Sequence, residues 1–145
     1  MTRASQGTDA LGTLPKGSMG RLVVLSIDAM GGDLGPAAVV AGLSISAVQM
    51  PDADFILHGD EGELTKLLAR HPALQAKVTI QHAARVVTMD DKPSQVMRPG
   101  QGTSMWGCID SVRAGEATVA VSCGNTGALM ATARFVLSTL PGIDR

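Results

Sequence analysis

The chain has 145 residues, 45% apolar and 17% charged, enough to form one compact domain with a core rather than a disordered polymer. A net charge of -1, with no Lys/Arg stripe and only two Phe and one Trp, lacks both the electrostatic footprint and the stacking platform of nucleic-acid binding, so no nucleic-acid partner is expected. Two cysteines, Cys108 and Cys123, are too few for a disulfide framework and show no zinc-ligand spacing, which excludes a metal site of that type and fits a reducing, cytoplasmic setting.

Residues 1–20 lack the continuous apolar run of a secretory signal and read as a mobile tail. No apolar run approaches the roughly 18 residues of a spanning helix. The folded part is expected over 21–145. "RLVVLSI", Arg21 to Ile27, is a short apolar run suited to a strand covered on both faces. "LSIDAMGGDLGP" then places a Gly-rich, acidic turn before a helix over 35–50, with Pro36 in its first turn and a stop before Pro51. "DFILHG" is a second strand. The stretch 60–72 reads as one helix: acidic start, Leu64, Leu67 and Leu68 at helical spacing, and a basic end where His71 serves the dipole.

"KVTIQHA" is a third strand. "RVVTMDDKPSQVMRPGQG", Arg85 to Gly102, combines a charged turn, a single helical turn and a Pro-Gly break, the pattern of a mobile active-site loop carrying Asp90, Asp91, Lys92 and Arg98. A helix capped by Thr103 or Ser104 follows, with Met105, Ile109 and Val112 on one side and Gly115 near its end. "ATVAVS" is the fourth strand, and "GALMATARFVLSTL" a helix ending before Pro141. Strands alternating with helices imply βαβ crossovers: an α/β fold with a mostly parallel sheet, helices on both faces and ligands at the carboxyl ends of the strands.

Both Gly-rich turns fall at such ends. In the first, Gly31 and Gly32 let the main chain approach a ligand, while Asp28 and Asp33 can cap turn amides, order a basic neighbour or orient a water. Purely local turn-making accounts for the same residues. The spacing is neither the dinucleotide fingerprint nor a P-loop, so no nucleotide cofactor is indicated. In the second turn, Gly124, Asn125, Thr126 and Gly127 bring helix-start amides, a hydroxyl and a carboxamide toward one anion-sized space. Helix capping by Asn125 and Thr126 is the competing reading.

Cys123 and the serines Ser104 and Ser122 lack a histidine base in any recognisable arrangement, and Cys123 reads as a small buried apolar residue. His58 and His82 end strands on one sheet edge, where either could enter the site as acid or base; a partly buried imidazole with a backbone partner is the plainer reading for each.

"DAMGGDLGP", "MDDKPSQ", "TSMW" and "SCGNTGALMATARFVLSTLPGIDR" together resemble, in order and spacing over Leu22 to Arg145, the amino-terminal part of the phosphate acyltransferase (PlsX) family of bacterial phospholipid synthesis. The resemblance implies a Rossmann-like fold similar to isocitrate dehydrogenase and phosphotransacetylase, and transfer of a fatty acyl group from acyl carrier protein to inorganic phosphate without metal or other cofactor. It also implies a homodimer and a cytoplasmic protein with possible peripheral membrane association. Its first motif falls on Asp28, Gly31, Gly32 and Asp33, its later turn on Gly124, Asn125, Thr126 and Gly127, and its charged loop and Ser-Met pair on Lys92, Pro93, Ser104 and Met105. From these, Asn125, Lys92 and Asp33 are expected to be catalytic, with Asn125 and Thr126 touching phosphate or oxyanion and Lys92 neutralising charge; Asp28, Gly31, Gly32, Ser104, Gly124, Thr126 and Gly127 are expected to bind substrate. Gln101 and Cys123 stand where many relatives have a basic residue and Ala, so an anion contact at the first and thiol chemistry at the second are not expected. Members of the family are more than twice this length, so 21–145 is read as an incomplete domain. A phosphotransacetylase-like enzyme using coenzyme A, and a non-catalytic phosphate-binding fragment, are the alternatives.

Overall fold

The computed structural model describes residues 23–96 and 101–143. The tail expected over 1–20, the first two residues of the first expected strand and Arg98 lie outside them. Four strands, β1 (Val23–Asp28), β2 (Ala53–Gly59), β3 (Val78–His82) and β4 (Val119–Ser122), form one sheet in the order β3-β2-β1-β4, with all three pairings parallel. The α/β expectation holds, and the strand assignments agree to within a few residues at their ends.

The helices follow local signals. α1 (Gly35–Gln49) carries Pro36 in its first turn, where a missing amide hydrogen costs no helical bond. α2 (Glu61–Leu68) is capped by the Asp60 side chain, which accepts the Glu63 amide at 2.8 Å, and by acidic residues in its first turn. It ends earlier than expected. Pro72 disfavours helical backbone at His71, whose φ of -132° and ψ of 69° break the run, and a separate turn, α3 (Pro72–Gln75), begins there. His71 is therefore the N-cap position of α3, not a C-terminal residue of α2.

α4 (Pro93–Val96) is the single turn expected in the charged loop. Thr103 caps α5 (Ser104–Arg113) by accepting the Trp106 amide at 3.2 Å. α6 (Thr126–Leu137) stops three residues short of the expected end, because Ser138 turns to a φ of 65°.

Alternation along the central strands separates an apolar layer from a polar one. Ile27, Phe55 and Leu57 join Val40, Leu43, Leu64, Leu68 and Leu74 in the core beneath α1, α2 and α3. The intervening residues Ser26 and His58 meet α5 instead. There His58 Nε2 lies 2.9 Å from Ser26 Oγ and 3.3 Å from Ser111 Oγ, Ser111 donates to Glu116 at 3.1 Å, and the Cys108 thiol donates to the Ser26 carbonyl at 3.1 Å. Burial pushes the Cys108 thiol up to about 11, a buried weak donor rather than a nucleophile. A second apolar cluster of Val87, Met105, Ile109 and Ala128 joins α5 to α6. β4 is an edge strand with Val119 41% and Val121 39% exposed, apolar surface of the kind that favours association.

Burial lowers the pKa of His58 from 6.5 to about 4, against the opposing charges of Asp28, Glu116 and Asp110. A depressed histidine stabilises the fold fully above the unfolded value and ceases to do so as pH falls from about 6.5 through 4. The depression corresponds to about 3 kcal/mol. Urea unfolding at pH 7 and pH 4 should therefore show the wild type losing about that much more stability than His58→Gln, which titrates nothing in this window; parallel losses would contradict the assignment.

Candidate functional site

Register places the carboxyl ends of three strands level. Asp28 of β1 stands opposite His58 of β2 on one side and Ser122 of β4 on the other, so the turns after β1 and β4 leave adjacent strands at the same edge. They interlock there. Asp28, only 2% exposed, accepts the Gly31 amide through Oδ1 at 3.1 Å and the Ser122 hydroxyl through Oδ2 at 2.8 Å. Ser122 Oγ in turn accepts the Gly124 amide at 3.1 Å.

Glycine is required at this contact by space and by angle. A Cβ on Gly31 would sit 2.5 Å from Asp28 Oδ2 and 3.1 Å from the Gly124 nitrogen; Gly32 has a φ of 98°, and a Cβ there would press on Cys123. The first turn is thus a packing partner of the second, and Asp28 caps the Gly31 amide, one of the roles open to it in sequence, while its other oxygen takes the Ser122 hydroxyl. Asp33 is exposed and bonds no described residue. Cys123 is exposed, not buried as expected, because it follows an edge strand.

At the head of α6, Asn125 uses both ends of its carboxamide. Oδ1 accepts the Ala128 amide at 3.0 Å, the N-cap bond, while Nδ2 lies within donating distance of the carbonyls of Thr88 (3.3 Å), Met89 (3.1 Å) and Asp91 (2.9 Å). Capping and loop-holding therefore occupy the side chain expected to touch phosphate. The Thr126 and Gly127 amides donate to no described residue, and the Thr126 side chain is exposed, leaving a helix-start cluster open to an anion.

The described part of the charged loop lies against this helix head. Asp91 closes its own turn by accepting the Thr88 amide at 2.8 Å, and Pro93 packs so near Gly127 that a Cβ there would lie 3.0 Å from Pro93 Cγ. Lys92, exposed, is held between these two anchors. At the base of the loop, Arg85 donates to the Gln101 carbonyl and its own carbonyl accepts the Ser104 amide at 3.0 Å.

Not every expected residue reaches the open surface. Ser104 is fully buried with its hydroxyl unpartnered among the described residues, and Met105 lies beneath Gly124. His58 is sealed under α5 with serine partners, and His82 is exposed, its Nδ1 accepting the Glu61 amide at 3.3 Å in support of α2. Neither stands beside the α6 head as an acid or base. Ser122 is the residue whose part sequence reasoning missed; only strand register sets it across from Asp28. No group of three or more His, Cys, Asp or Glu side chains among the described residues is placed to hold a metal.

The family described as "Fatty acid synthesis protein" matches residues 23–145. Curated relatives named phosphate acyltransferase include one from Cereibacter sphaeroides (strain KD131), 65% identical over 123 residues that make up 85% of this chain and 33% of the relative. Another, from Dinoroseobacter shibae, is 62% identical over 84% of this chain and 32% of its own length. A third, from Paracoccus denitrificans, is 58% identical over 92% of this chain and 36% of its own. The chain spans about a third of the length of these relatives. Among the described residues no helix is long and apolar enough to cross a membrane.

Replacing Asn125 by Ala removes the α6 cap and the loop anchor together. The expected cost is about 2 kcal/mol, with amide exchange accelerated over residues 88–92 but unchanged in β2; exchange of the loop at the wild-type rate would show that the carboxamide does not hold it.

Proposed function

The chain belongs to the fatty acid synthesis protein family, and on that premise we propose that it supplies the phosphate-holding part of an enzyme that transfers a fatty acyl group from acyl carrier protein to inorganic phosphate. One observation carries the reading: the two Gly-rich turns are locked together at the carboxyl edge of the sheet, beside a helix start whose Thr126 and Gly127 amides and Thr126 side chain are open to an anion. Ligands of open parallel sheets bind at such an edge.

The chemistry needs position and charge rather than a covalent intermediate. Phosphate held at the α6 head by backbone amides and the Thr126 hydroxyl is one reactant, and Lys92, anchored between Asp91 and Pro93, offsets its charge. A phosphate oxygen attacks the thioester carbonyl, prearranged donors stabilise the tetrahedral oxyanion, and collapse expels the carrier's thiolate and leaves an acyl phosphate. Asn125 contributes through the positions of the helix head and the Lys92 loop. Asp33, exposed in the first turn, carries over from the resemblance as a catalytic residue, while Met105, next to the buried Ser104, lies beneath Gly124 of the second turn. The acyl carrier donor, the homodimer and the cytoplasmic, peripherally membrane-associated setting carry over from the resemblance as parts of the same proposal.

Inorganic phosphate titrated into the 145-residue chain should raise its unfolding midpoint, with about 2.7 kcal/mol of added stability at a hundredfold excess over Kd. Thr126→Val and Lys92→Met should each weaken the response about tenfold. A midpoint indifferent to phosphate would defeat the cradle. Hydroxylamine trapping of acyl phosphate, with acyl carrier protein and coenzyme A thioesters compared, identifies the donor.

A further inference from the structure

We propose that Ser122 is a positioning residue for the phosphate cradle, its hydroxyl coupling the turn after β1 to the turn after β4 so that neither holds its shape without the other. The proposal deepens the phosphate reading and rests on it for the ligand, while the coupling itself rests on geometry alone. Asp28 and Ser122 are 94 positions apart in sequence yet directly opposed in the β1–β4 register. The hydroxyl donates to Asp28 Oδ2 at 2.8 Å and accepts the Gly124 amide at 3.1 Å, while Oδ1 of the same carboxylate accepts the Gly31 amide. The chain of bonds runs from Gly31 through Asp28 and Ser122 to Gly124, three residues before Gly127 in the first turn of α6.

A hydroxyl suits this place because it must donate to a carboxylate and accept from an amide at once. Donation to the buried carboxylate is charge-assisted and makes Oγ a better acceptor for Gly124. Alanine would leave Oδ2 of a buried Asp28 without its hydroxyl donor and Gly124 without its acceptor, and each orphaned group drives its own turn to rearrange. The turns also touch directly: Gly31 backs onto the Gly124 nitrogen, and Gly32 onto Cys123. A shift on one side is therefore transmitted to the other.

The chain carries its own reporter. Cys123 is exposed between Ser122 and Gly124, whereas Cys108 is buried, so a thiol reagent applied to the folded protein reads the second turn. Inorganic phosphate should slow Cys123 labelling in the wild type. In Ser122→Ala the half-saturating phosphate concentration should rise about tenfold, the equivalent of one lost charge-assisted bond. Amide exchange at Gly31, whose amide is bonded to Asp28 and not to Ser122, should accelerate alongside that at Gly124. Ser122→Thr should restore both readouts and its isostere Ser122→Val should not, a pair that separates the hydroxyl from side-chain volume and stands in if the alanine variant fails to fold.

Wild-type half-saturation in Ser122→Ala or Ser122→Val, or unaltered exchange at Gly31, would overturn the proposal. If phosphate leaves wild-type labelling unchanged, the cradle reading fails by itself, and exchange at Gly31 in the variants still decides whether Ser122 couples the turns.

Discussion

The buried carboxylate of Asp28 accepts hydrogen bonds from two segments nearly a hundred residues apart, and the arrangement of the carboxyl edge of the sheet depends on it. A carboxylate removed from water is costly unless its oxygens are occupied. Here Oδ1 takes a backbone amide of the first turn and Oδ2 a hydroxyl of β4, so the turns must close around the charge for the fold to tolerate it. Glycine at 31 and 32 follows from that closure, since a side chain would collide with the carboxylate at the first position and with the second turn at the next.

The same layering disposes of the other polar groups. The face of the sheet toward α1, α2 and α3 is apolar, whereas Ser26, His58, Cys108 and Ser111 form a hydrogen-bonded layer under α5. His58 is neutral near physiological pH because burial outweighs three nearby carboxylates. Proton chemistry at the surface is thus not the work of this imidazole. It ties β2 to α5 and stands opposite Asp28 in the strand register.

Above the edge, the described part of the charged loop is held to α6 through backbone acceptors. Three carbonyls face one carboxamide, and proline packs on glycine at the head of α6. An anion at the helix start would meet amides already fixed in place, and fixed donors need no reorganisation when negative charge develops. Exposed apolar residues lie on the edge strand at Val119 and Val121, along α6 at Met130 and Phe135, and next to the turns themselves at Leu34 and Met89, so apolar surface suited to association adjoins the polar cluster at the helix head.

The sequence by itself determined the α/β order, the four strands, a capped start of α5 at Thr103 or Ser104 and the two Gly-rich turns, because apolar runs, caps and breakers act over a few residues and leave local marks. It also carried the family, through four short motifs in order. It misjudged the run of helix before Pro72 and the end of α6, where single backbone angles at His71 and Ser138 decide, and the exposure of Cys123, which depends on β4 being an edge. For Asn125 it left capping and anion contact both open; the tertiary fold occupied the carboxamide by bringing residues 88–91 to it. Only the tertiary structure set Ser122 opposite Asp28, since strand register is fixed by pairing and packing across the whole sheet, and no pattern within either strand names its partner.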